Sequence, residues 1–99
     1  MSELPRDKLD ICCAILDALR GASEIKRTHV AYGAKINLTA LDRYCTIMEK
    51  NGLLEIEQKG NHNYYRITSK GREKLKEAKQ VLNAFGLVPE RDPRVPSYL

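Results

Sequence analysis

The residues of this 99-residue chain that are equipped for chemistry are cationic and polar rather than catalytic. Lys26, Arg27 and Lys35 can neutralise anionic oxygens, and Lys59 adds a further positive charge beside the polar run Asn61, His62 and Asn63. Arg43 is the one cation between Lys35 and Lys50, and its planar fork of donors suits bidentate pairing. Thr39 and Thr46 flank it at helical spacing, with Ala40 beside them. A net charge of +4 favours a polyanionic partner, and the basic excess lies in residues 22–51 and 68–85. No nucleophile stands next to a base, and there is no glycine-rich phosphate loop and no pair of carboxylates. An enzyme is not expected. His29 and His62 are far apart, and the Cys-x-x-Cys and His-x-x-His spacings are missing, so neither a metal nor a cofactor is expected. The three cysteines, Cys12, Cys13 and Cys45, lie in apolar segments. Adjacent Cys12 and Cys13 are poorly placed to bridge each other, and all three read as reduced core residues of an intracellular protein.

These groups need elements to hold them, and the periodicity supplies five. Residues 5–20 predict a first helix, with Pro5 in its first turn, Leu9, Cys12, Cys13, Leu16 and Leu19 on one stripe, and Gly21 at its end. Residues 24–34 predict a second helix with Ser23 as N-cap and Val30, Ala31 and Ala34 facing inward. Lys35-Ile36 is a tight connection. Residues 38–51 predict a third helix capped by Asn37, which puts Leu38, Leu41, Cys45 and Met48 on one stripe with Tyr44 at its edge. Thr39, Arg43, Thr46 and Lys50 fall on the opposite face, with Ala40 and Ile47 at the margin. Residues 53–59 and 62–67 predict a hairpin around Gly60-Asn61. That turn sets Leu54 opposite Ile67 and Ile56 opposite Tyr65 on one face, and Glu55 opposite Arg66 on the other. Tyr44 and Tyr65 read as core, whereas Tyr64 lies on the outer face. Thr68 or Ser69 caps a last helix that runs to about Phe85.

Helix, helix, tight turn, helix, hairpin, helix is the order of a winged helix-turn-helix: α+β, mainly α, with three helices, a β-hairpin wing and a C-terminal helix. Residues 1–85 form the domain, and residues 86–99, with Pro89, Pro93 and Pro96, form an irregular tail. The major groove of DNA admits one α-helix, so helix 38–51 is expected there, with the 59–63 tip on the adjacent backbone or minor groove. The expected DNA contacts are Lys26, Arg27, Lys35, Thr39, Ala40, Arg43, Thr46, Lys59, Asn61, His62 and Asn63. Leu75, Ala78, Val81, Leu82 and Phe85 give the last helix a second apolar stripe, expected to pair two copies, since half-sites one turn apart call for a two-fold dimer. The longest uncharged apolar run is too short to span a bilayer, and the opening residues lack a signal-peptide layout.

The sequence also resembles an archaeal family of winged helix-turn-helix proteins that takes in predicted transcriptional regulators and small dimeric chromatin-associated DNA-binding proteins. The likeness is carried by Arg6-Asp7-Lys8-Leu9-Asp10-Ile11 and Lys26-Arg27-Thr28-His29-Val30-Ala31-Tyr32. It continues through Leu41-Asp42-Arg43-Tyr44, Lys50-Asn51-Gly52-Leu53-Leu54 and Tyr65-Arg66-Ile67-Thr68-Ser69-Lys70-Gly71, covering roughly residues 5–85. It implies a cytoplasmic, nucleoid-associated homodimer on double-stranded DNA, with no membrane or small-molecule substrate. A different class stays open beside this one: a winged helix that docks on a protein of the transcription machinery, since a fold does not fix a function.

Overall fold

The computed structural model describes residues 8–87. The expected helical start at residues 5–7 and the tail beyond residue 87 lie outside them. Helix α1 (Lys8–Arg20) is followed by a short strand β1 (Ile25–Lys26), then α2 (Arg27–Ala34) and α3 (Leu38–Lys50). The strands β2 (Leu54–Lys59) and β3 (His62–Ile67) and the helix α4 (Ser69–Ala84) complete the order. Helix α1 is the hub: it packs against α2, α3, α4 and β3. It therefore buries more than a stripe, with Cys13, Ala14, Ile15, Leu16 and Leu19 all inside. Packing starts one turn later than the spacing suggests, and Leu9 stays 45% exposed. Val30, Ala31 and Ala34 from α2, Leu41, Cys45 and Met48 from α3, and Leu54, Tyr65 and Leu75 complete the core.

The hairpin has the predicted register at every pair, from Leu54 opposite Ile67 to Lys59 opposite His62. At its tip Gly60 takes φ +61° and Asn61 does not, as a turn that opens with glycine requires. Asn37 caps α3, its side chain accepting from the Ala40 amide at 2.8 Å. Thr68 caps α4, its hydroxyl accepting from the Gly71 amide at 2.9 Å.

One expectation changes. The second helix starts at Arg27 rather than residue 24, and Lys26, not Ser23, is its N-cap, without a side-chain capping bond. Ile25 and Lys26 instead pair with Tyr65 and Tyr64, so β3 is the middle strand of a three-stranded sheet ordered β1-β3-β2. Backbone pairing to β3 outcompetes helix extension here, and it ties the hairpin to the helical core. A second tie lies at Gly71, where a Cβ would sit 2.0 Å from the carbonyl oxygen of Leu53. Only glycine lets the first turn of α4 lie this close to the chain entering β2.

Candidate nucleic-acid interface

The angle between α2 and α3 is set at their turn and across their outer edge. Lys35 caps α2 in the left-handed conformation, φ 59° and ψ 47°, and its amide donates to the last carbonyls of the helix. From the start of α2, Arg27 reaches Asp42 in α3 with both arms of its fork, Nε to Oδ1 at 2.9 Å and Nη2 to Oδ2 at 2.7 Å. This contact holds the Asp42 carboxyl below its ordinary pKa and raises that of Arg27. Arg27, expected on phosphate, is therefore engaged inside the molecule as a strut between the two helices.

Buried Leu41, Cys45 and Met48 anchor α3 to the core. Their burial leaves Thr39, Arg43, Thr46, Ile47 and Lys50 exposed on the far side, with Ala40 half-buried beside them. Among the described residues, no carboxylate lies within ion-pair distance of Arg43 or Lys50. Arg43 instead lies 5.5 Å from the ring centre of Tyr44. Thr46 donates its hydroxyl proton to the Asp42 carbonyl at 2.8 Å. Lys26 is exposed at the head of α2, and Lys35 at the turn.

The wing is built differently. Lys59 places its Nζ 2.9 and 3.1 Å from the two carboxylate oxygens of Glu24 and 5.5 Å from the Tyr64 ring centre. The Glu24 contact raises the Lys59 pKa. Arg66 spans Glu55 and Glu57, each at 3.0 Å, with Glu24 at 3.6 Å. The cross-strand pair Glu55–Arg66 expected from the register is thus part of a larger net, and Arg66 holds the Glu57 carboxyl below its ordinary pKa. Asn61, His62 and Asn63 are exposed at the tip.

A third basic surface follows the seam between α1 and α4. Arg20, Arg72, Lys76 and Lys79 line a groove there with Leu75, Gln80 and Asn83. Two of its cations converge on one acid, Asp17, with Lys79 at 2.9 Å and Arg20 at 3.1 Å, so this charge fastens the helices together. Beyond that seam, Val81 is 54% and Phe85 76% exposed, whereas Leu75 is buried in the monomer's own core because it faces α1. Burial pushes the pKa of Cys45 up to about 12 and also raises that of Cys12, which keeps both thiols protonated and inert.

A helix held by a second helix at a tight turn, followed at once by a hairpin, is winged helix-turn-helix geometry, and a family model described as winged helix-turn-helix matches residues 5–85. The chain belongs to that winged helix-turn-helix family. Among solved structures it is similar to Sso10a-2, a DNA-binding protein from Sulfolobus solfataricus. The two share 26% identity over 82% of this chain and 83% of that one, with a TM-score of 0.76. The transcriptional regulator BldR from Sulfolobus solfataricus is 23% identical over 76% of this chain and 55% of its own, TM-score 0.69. The transcriptional repressor CouR, solved on a 23-mer DNA duplex, is 20% identical over 72% and 52%, TM-score 0.64. No curated protein sequence matches the chain. The Arg27–Asp42 strut of this winged helix-turn-helix escaped the sequence reading, whereas Ile47, expected at the margin of the outer face, is exposed there. A cation and an acid 15 residues apart carry no periodic signal, but Ile47 stands seven residues after Ala40, a spacing that marks one helix face.

Proposed function

We propose that this winged helix-turn-helix protein binds double-stranded DNA, as a transcriptional regulator or a nucleoid-associated protein, with α3 in the major groove. The observation that carries the reading is the solvent face of α3. Among the described residues it presents Arg43 and Lys50 without carboxylate partners, on a helix braced by Arg27 and Asp42. Arg43 and Thr39 meet base edges, whereas Lys26, Lys35 and Lys50 sit beside phosphates. Asn61, His62 and Asn63 carry the wing contact, with Lys59 contributing what Glu24 leaves of its charge. The likeness to DNA-binding proteins of the same fold supports this. Titration of genomic DNA fragments at two salt concentrations tests it. Binding should weaken steeply with salt, as release of counterions from phosphates demands. A chain that ignores DNA at both concentrations would instead be a winged-helix protein-interaction module.

The protein acts as a homodimer in this proposal. Val81 and Phe85, with Ala78 and Leu82 behind them, form an apolar flank on α4 that a second copy covers across a two-fold axis. Light scattering should give twice the chain mass, and Val81→Glu with Phe85→Glu should give the monomer. No helix of the described residues is long and apolar enough to cross a membrane.

A further inference from the structure

The solvent face of α3 is more apolar than its position calls for. Ile47 is 50% exposed, although buried Cys45 and Met48 stand on either side of it in the chain. Ala40, Arg43 and Ile47 follow one another at spacings of three and four, so they form a single row along the helix. Thr46 adjoins that row, and its hydroxyl proton already goes to the Asp42 carbonyl at 2.8 Å. Thr46 is then left its γ-methyl and the acceptor lone pairs of its hydroxyl oxygen to meet a partner, and no proton to donate. Two methyl-bearing side chains and an alanine thus lie next to Arg43 along the helix, and its guanidinium leans on the Tyr44 ring.

Lone exposed isoleucines are ordinary. This one lies in the row that faces outward, where a polar side chain would hydrogen-bond to any base edge and an isoleucine to none. The major-groove edges of the base pairs offer donors and acceptors, and one apolar group, the C5-methyl of thymine. An aliphatic side chain set against a cytosine amino group strips water from it and returns no bond, whereas against the thymine methyl it buries apolar surface on both sides. We infer that Ile47, with the methyl of Thr46, reads thymine through its C5-methyl beside the base that Arg43 contacts. The inference rests on the proposed entry of α3 into the major groove and adds to it what the helix selects.

The test removes the methyl and nothing else. Fluorescence anisotropy would compare an alternating A·T duplex with the same duplex carrying deoxyuridine for thymidine, and a G·C duplex with and without 5-methylcytosine. The parent should bind the thymine duplex about fourfold more tightly per methyl contacted, the factor for one buried methylene at ~0.8 kcal/mol. It should also gain affinity from 5-methylcytosine. Ile47→Ala should lose most of the preference for thymine over uracil, keeping only the part that the Thr46 methyl supplies. Thr46→Val, which keeps the methyl, should retain the preference, and Thr46→Ser, which keeps only the hydroxyl, should reduce it. Unchanged circular dichroism would show that each variant is folded. Equal affinity of the parent for both duplexes, or a full preference surviving in Ile47→Ala, overturns the inference while leaving DNA binding intact. Salt-sensitive binding to none of the duplexes overturns the groove reading itself.

Discussion

The outer face of α3 and the outer face of the hairpin are both exposed and both carry cations, yet only one has charge to offer. In the hairpin, Lys59 and Arg66 are met by Glu24, Glu55 and Glu57 at 2.9–3.6 Å. On α3, Arg43 faces an aromatic ring and, among the described residues, no acid. The geometry of the elements explains the contrast. Alternation in β2 puts Glu55 and Glu57 on the same side as Lys59, and antiparallel pairing sets Arg66 directly across from Glu55 and diagonal to Glu57. On α3, the positions three and four residues from Arg43 are Thr39, Ala40, Thr46 and Ile47, so no carboxylate lies within reach along the helix. Cations of equal standing in the sequence therefore differ in what they can give to a partner.

The largest expected effect abolishes both faces together. Gly71→Ala drives a Cβ into the Leu53 carbonyl. It should destabilise the domain by about 3 kcal/mol or more, read by urea unfolding, because backbone on both sides must move. Next, Arg43→Ala should leave stability nearly unchanged and remove roughly 1–3 kcal/mol of base discrimination, flattening any sequence preference in competition binding. If its affinity falls by the same factor on every duplex, Arg43 touches only phosphate. The wing gives smaller effects of opposite sign. Glu24→Gln frees Lys59 and should steepen the plot of log K against log salt by about one unit, while Lys59→Ala should flatten it by less than one. A Lys59→Ala effect as large as that of Arg43→Ala would erase the contrast between the two faces.

The smallest effect concerns the strut. Asp42→Asn should lower stability by roughly 0.2–1 kcal/mol, the range for an exposed, solvent-screened pair. The folded pKa of Asp42 lies below its unfolded value near 3.8, so this contribution is present in full above about pH 4. It is lost as pH falls through the folded value. The stability gap between parent and variant, measured by thermal unfolding from pH 7 downward, should close only below pH 4.

Much of this was legible in the residues themselves. The hairpin register is over-determined, because the Gly60-Asn61 turn and the alternation on both faces agree on one pairing. Asn37 marks the start of α3 for a local reason, an amide three residues on that needs an acceptor. What escaped is non-local. Ile25 and Lys26 are too few to show alternation, and Ser23 imitates a cap just ahead of them, so β1 was read as helix. Glu24–Lys59 spans 35 residues and Arg27–Asp42 spans 15, and only the folded chain brings them together. Leu75 belongs to the same apolar stripe as Val81 and Phe85 in sequence, but α1 takes the first into the core and leaves the other two outside.

Among the described residues the order β1-β3-β2 leaves β2 at the edge of the sheet, with one side of its backbone unpaired. Such an edge invites strands from other molecules, above all where proteins are crowded along a shared polymer. The run Glu55, Glu57 and Lys59 places a charge at every second position of that edge. An incoming strand would have to desolvate these groups or break their contacts with Glu24 and Arg66. The net that mutes the wing's charge therefore also guards the protein against self-association by strand addition.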